Sequence, residues 1–129
     1  GQTPYTPPVC VMFELRDMLG LIECEGGKQS RLKNVAKKAI YFRKKAIERG
    51  FVIPSYPLSN LLTPLYFENI DAEKIIHRLA EKYQLYVNPC GGELAHKLFR
   101  VSHIGNTTLA DIDDLFEKLA EVIREVAND

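Results

Sequence analysis

The sequence predicts a two-layer α+β fold: a small, mainly antiparallel sheet of three to four strands with helices on one face, plus a projecting N-terminal helix. Three observations lead to it. Apolar residues recur at helical spacing over residues 9–24 and 30–49, and again after Asp71 and after Thr108. Short apolar runs bounded by turn residues fall at 51–53, 61–67, 85–87 and 98–104. Their order along the chain is helix, helix, strand, strand, helix, strand, strand, helix, which suits helices gathered on one side of a sheet.

The first helix begins after Pro7 and Pro8, because proline at a helix start gives up no hydrogen bond it needs. Residues 9–24 are apolar on more than one side, with only Glu14, Arg16, Asp17 and Glu23 interrupting, so this helix is expected to be covered from several directions. Gly26 and Gly27 end it. The second helix, 30–49, is closed by Gly50, and Leu32, Val35, Ala36, Ala39, Ile40 and Ile47, with Phe42 or Tyr41, form its expected inner stripe. Its other side is basic, from Lys28 to Arg49, and the acidic last helix (Asp111, Asp113, Asp114, Glu117, Glu121, Glu125) supplies the balance.

Residues 51–53 form a first short strand stopped by Pro54 and Pro57. Residues 61–67 form a second, in which Pro64 demands an edge position or a bulge. Asp71 caps a helix packing through Ile75, Ile76, Leu79, Ala80 and Tyr83. Residues 85–87 form a third strand, and a long loop from Asn88 to Lys97 leads to the fourth. There Leu98, Arg100, Ser102 and Ile104 face one way and Phe99, Val101 and His103 the other. Thr108 and Asp111 then stand at capping-box spacing, opening a helix that packs through Ile112, Leu115, Phe116, Leu119, Val122, Ile123 and Val126.

At 129 residues the chain is expected to be a single domain, with residues 1–27 a linker and connecting helix and residues 28–129 the α+β core. Lysine plus arginine (17) equals aspartate plus glutamate (17), which argues against a dedicated nucleic-acid binder, and no aromatic-rich motif accompanies the basic helix. Cys10, Cys24 and Cys90 are an odd number without a C-x-x-C pair, which fits reduced thiols in the cytoplasm. No apolar run is long enough to span a membrane, and the start carries no signal-peptide pattern. The chain opens at Gly1 rather than Met and is expected to be a piece of a longer protein.

Arg100 is the anomaly. A guanidinium within an apolar strand needs a planar anionic partner, because an unpaired buried charge is costly. Two readings stand: a structural ion pair with an acid elsewhere in the chain, or a carboxylate-binding arginine whose ligand is not part of the chain. His77, His96 and His103 share no metal-site spacing with each other or with Cys90, and Cys90 has no base nearby in sequence. No phosphate-cradling glycine motif occurs. Thr3 and Thr6 offer hydroxyls to an anion, or serve as turn residues between prolines.

Thr3-Pro4-Tyr5-Thr6-Pro7-Pro8-Val9, followed by a helix ending in Glu25-Gly26-Gly27 and a basic helix with Arg31, resembles the start of the C-terminal part of class V aminotransferases. Phe99-Arg100-Val101-Ser102-His103-Ile104-Gly105 resembles an arginine-bearing strand of the same family. The similarity covers nearly all 129 residues in order, and the alanine–glyoxylate, serine–pyruvate and 2-aminoethylphosphonate–pyruvate aminotransferases are among the members it resembles.

The resemblance implies the C-terminal small domain of a fold type I, pyridoxal-phosphate-dependent transaminase, working as a homodimer with a large cofactor-binding domain. It implies that Arg100 binds the substrate carboxylate and that Thr6, with Thr3 beside it, reaches the cofactor phosphate of the neighbouring subunit. Ser102 stands where many relatives have glycine. None of the ten lysines sits in the family's Schiff-base context, so the chain is expected to be inactive alone. The alternative is a stand-alone or split-subunit binding module without catalysis.

Overall fold

The computed structural model describes residues 5–128. Four helices and one three-stranded sheet follow in the order α1 (Val9–Cys24), α2 (Gly27–Glu48), β1 (Leu62–Tyr66), α3 (Ala72–Tyr83), β2 (Asn88–Pro89), β3 (Leu98–Ser102) and α4 (Leu109–Val126). The architecture is α+β, as the sequence predicts. The chain divides into two compact units, residues 1–34 and 35–129.

In the first unit, α1 starts and ends where the proline and glycine signals place it. None of its residues is buried, and Met12, Phe13, Leu15 and Leu19 are each more than half exposed. The cover expected for so apolar a helix is not supplied by the described residues. Arg31 and Glu25 form an ion pair at 3.3 Å across the bend into α2.

The second unit holds the core. β3 is the middle strand, antiparallel to β1 on one side and to β2 on the other. Register places Leu65 opposite Phe99 and Thr63 opposite Val101. These four are buried on the face that meets the helices, where Leu65, Phe99 and Val101 join Phe42 of α2, Ile75 and Leu79 of α3, and Phe116 and Leu119 of α4. Phe42 stacks on Phe116 with ring centroids 4.9 Å apart, and Phe67 stacks on Phe99 at 5.2 Å. The opposite face carries Leu62, Pro64 and Tyr66 of β1 beside Ser102, Arg100 and Leu98 of β3.

Several expectations are corrected. Residues 51–53 make a single bridge, Val52 to Tyr66, rather than a strand. The third strand lies at Asn88–Pro89 and not at 85–87, whose Leu85 and Val87 instead pack on the core edge. Leu32, Ile40 and Ile47 are about half to two-thirds exposed, because α2 turns Val35, Lys38, Ala39, Phe42 and Ala46 inward. Ala46 and Lys38 were not on the expected stripe: small size and the long lysine stem let both enter a helix interface. The long loop contains a short 3-10 turn at Gly92–Leu94.

Caps follow the sequence. Asp71 accepts from the Glu73 amide at 2.9 Å, and Thr108 and Asp111 complete a reciprocal box at 2.7 and 3.2 Å. Pro64 lies in β1, an edge strand of the sheet, where its missing N–H is tolerated. Removing the Phe116 ring (Phe116→Ala) is expected to cost ~3–5 kcal/mol. Thr108→Ala is expected to cost ~1 kcal/mol through the lost cap. Urea unfolding midpoints of the two variants check both values.

Candidate functional site

Arg100 sits at the centre of β3, on the face turned away from the helices, directly across from Pro64 of β1 and Asn88 of β2. One guanidinium nitrogen, Nη2, donates to the Pro89 carbonyl at 2.7 Å, so the two-residue strand β2 holds the side chain from its flank. Nε is buried and has no hydrogen-bond partner. Among the described residues no carboxylate lies within ion-pair distance of Arg100; the ion pairs that do form involve other cations. The structural-pair reading of this residue therefore has no acid to stand on. A buried N–H left without an acceptor costs ~1–3 kcal/mol.

Asn88 was missed by the sequence reading. It is exposed and faces the same side as Arg100 by register. No pattern in the sequence announces it, since the expected strand lay three residues earlier.

Thr6 is exposed in the extended segment before α1, and its hydroxyl has no partner among the described residues. Thr3 lies outside the described residues. The two compact units contain Thr6 and Arg100 respectively.

On the helix-facing side, one residue beyond β3, His103 is almost fully buried. Its Nε2 lies 2.8 Å from the Thr63 hydroxyl, which accepts from Arg43 Nε at 3.0 Å. A hydroxyl already accepting from Arg43 donates best to Nε2, and only a neutral ring accepts there. Burial, with Arg43 and Lys38 nearby, accordingly pushes the His103 pKa down to about 4. Nδ1 is buried without a partner, and the ring packs 5.1 Å from Phe42. Lys38 reaches past it to the Gly105 carbonyl at 2.9 Å and so holds the turn after β3.

The basic side of α2 finds its balance on the last helix, as charge patterning anticipates: Lys45 pairs with Asp113 at 2.9 Å, and the Tyr41 hydroxyl donates to the same carboxylate at 2.8 Å. At the start of α3, Asp71, Glu73 and His96 bring three possible metal-ligating atoms within 4.8 Å of one another, a grouping the histidine spacings did not foreshadow. The hydrogen bond that His96 Nδ1 donates to the Asp71 carboxylate raises the His96 pKa, so a proton fits there as an ion pair at 3.1 Å. Cys10, Cys24 and Cys90 are free thiols. No helix of the described residues is long and apolar enough to cross a membrane.

No family model matches the chain. The soluble hydrogenase 42 kDa subunit of Anabaena cylindrica is 26% identical over 132 residues, spanning 98% of this chain and 33% of that protein. The serine–glyoxylate aminotransferase of Methylorubrum extorquens is 28% identical over 112 residues, 82% of this chain and 27% of the enzyme. Among solved structures, an alanine–glyoxylate aminotransferase from Nostoc superposes with a TM-score of 0.83 at 26% identity, covering 94% of this chain and 33% of that one. The chain spans about a third of the length of these relatives. As the resemblance read from the sequence implies, the chain is similar over most of its length to about a third of the alanine–glyoxylate and serine–glyoxylate aminotransferases.

The depressed pKa of His103 has a pH signature. In the unfolded chain the ring titrates near 6.5, in the folded chain near 4, so between those values the unfolded state binds the extra proton. Stability contributed by the neutral ring is complete above about pH 6.5 and is lost as pH falls toward 4. His96, with its raised pKa, contributes in the opposite sense, losing its share as pH rises through its folded value. Comparing urea stability of the parent with His103→Phe between pH 4 and 7 cancels the His96 contribution. The slope over that window is expected to flatten in the variant.

Proposed function

From this kinship with the glyoxylate aminotransferases, we propose that the chain is the C-terminal small domain of a class V, pyridoxal-phosphate-dependent transaminase, moving an amino group from an amino acid to a 2-oxo acid. The observation that carries the reading is Arg100: a guanidinium anchored by one backbone carbonyl, with a buried Nε lacking an acceptor and no acid beside it. A carboxylate approaching that face would be gripped by a planar fork, which fixes its orientation as well as its charge. Asn88, across the strand pair, would add a neutral donor to the same anion.

Of the cofactor's contacts, this chain would supply little. The exposed Thr6 hydroxyl fits a single donor to a phosphate oxygen, and Thr3 would lie in the same loop. Bound pyridoxal phosphate would act as the electron sink for amino-group transfer, and its Schiff-base lysine would come from a large domain outside this chain. The apolar surface of α1 supports this arrangement, since a helix with no buried residue and this many exposed apolar side chains calls for cover by that domain and a second subunit of a homodimer. The chain by itself would be inactive. Three free thiols suit the cytoplasm, where such groups stay reduced.

In the transaminase that contains this chain, Arg100→Ala is expected to lower kcat/KM for the 2-oxo acid by about 10²-fold while the cofactor's absorbance stays as in the parent. Thr6→Val is expected to weaken cofactor affinity and leave the KM for the 2-oxo acid unchanged. A normal kcat/KM after Arg100→Ala would remove the central residue of the proposal. Mixing the isolated chain with pyridoxal phosphate and reducing with borohydride is expected to mark no single lysine stoichiometrically; a single fully labelled lysine would return the chemistry to this chain.

A further inference from the structure

The core unit has a cleft of about 550 Å³ at its other end, where the residues after α2 meet the end of β1 and the last turns of α4. Its apolar wall includes Phe51, Tyr66, Ile70 and Ile123, and its volume is that of a small-molecule site. Two guanidiniums, Arg49 and Arg124, line the same hollow. Each sits at a helix C-terminus, just after α2 and in the last turn of α4, where a cation complements the helix dipole. That ordinary role accounts for either charge singly, but not for the meeting of both on one apolar cleft.

Neither arginine forms an ion pair or donates a side-chain hydrogen bond among the described residues. Arg49 lies over the Phe116 ring, 5.0 Å from its centroid. Such stacking occupies the flat face of the group and leaves its in-plane N–H donors for an acceptor. Arg49 helps to keep Asp113 ionised, but the oxygens of that carboxylate are taken by Lys45 and Tyr41. Glu68 also lines the cleft without pairing to either arginine, so two cations stand against one anion.

We propose that this cleft binds a small organic monoanion with an apolar body, an aryl- or branched-alkyl carboxylate, its acid group turned to Arg49 and Arg124 and its body laid against Phe51, Tyr66 and Ile123. The inference does not rest on the reading of Arg100, whose strand position lies across from Pro64 and not on the cleft lining.

The test is an amide-shift NMR titration of the 129-residue chain with 3-phenylpropionate, with neutral 3-phenylpropionamide as the control. Saturable shifts are expected at Phe51, Val52, Tyr66 and Ile123, with weaker binding as salt is raised. Arg124→Gln is expected to weaken the carboxylate about tenfold, Arg124→Lys to restore part of the loss, and Arg49→Gln to act in the same direction as Arg124→Gln. Arg100→Ala is expected to leave these shifts unchanged, which separates this site from any carboxylate held at Arg100. Equal binding of acid and amide, unchanged affinity in both glutamine variants, or no saturable shift at the cleft would overturn the proposal.

Discussion

Strand alternation in β3 couples the core to the candidate site. Phe99 and Val101 can reach the helices only if Arg100 between them faces the other way, and hydrogen bonding to β1 and β2 on both flanks fixes that choice. A slip of one residue would drive the guanidinium into the aromatic cluster of Phe42, Phe67 and Phe116. The free energy that seats Phe99 therefore also aims Arg100. The arginine's position is as firm as the core is, even though the side chain itself makes a single hydrogen bond to a two-residue strand.

The two faces handle charge in opposite ways. Beneath β3, His103 is kept neutral by burial and by a hydroxyl already engaged with Arg43, so the interior gains a polar group without a buried charge. Above it, Arg100 stays charged with one donor anchored and one buried donor unmet. At the surface, Lys45 and Tyr41 on α2 meet Asp113 on α4, and Lys82 on α3 meets Glu121 and Glu125. Exposed pairs of this kind contribute little each.

Much of this was legible in the sequence because it rests on local chemistry. Pro7 and Pro8, the glycines after α1, Asp71, and the Thr108–Asp111 pair mark helix ends through bonds made within three residues. The face of Arg100 followed from period-two alternation. What could not be read depends on distant partners. Strand β2 sits at Asn88–Pro89 because β3 has a free edge there, and nothing in Leu85–Tyr86–Val87 says that this apolar run stops short of it. Asn88 was missed for the same reason. Ile40 and Ile47 misled because hydrophobicity names candidates for a helix interface, while the neighbouring helices choose among them. The cleft at Arg49 and Arg124 joins residues 75 positions apart, beyond the reach of any local pattern.

The first helix bears on the chain's behaviour in a different respect. Sixteen consecutive residues without one interior position leave apolar side chains in contact with water along the whole of α1. Such a surface sets a ceiling on the concentration at which the chain stays dispersed, however firmly the second unit folds. Folding and keeping company are thus separate problems for this polypeptide: the buried core cluster lies within the second unit, and the dispersal of the chain is left to whatever shields α1.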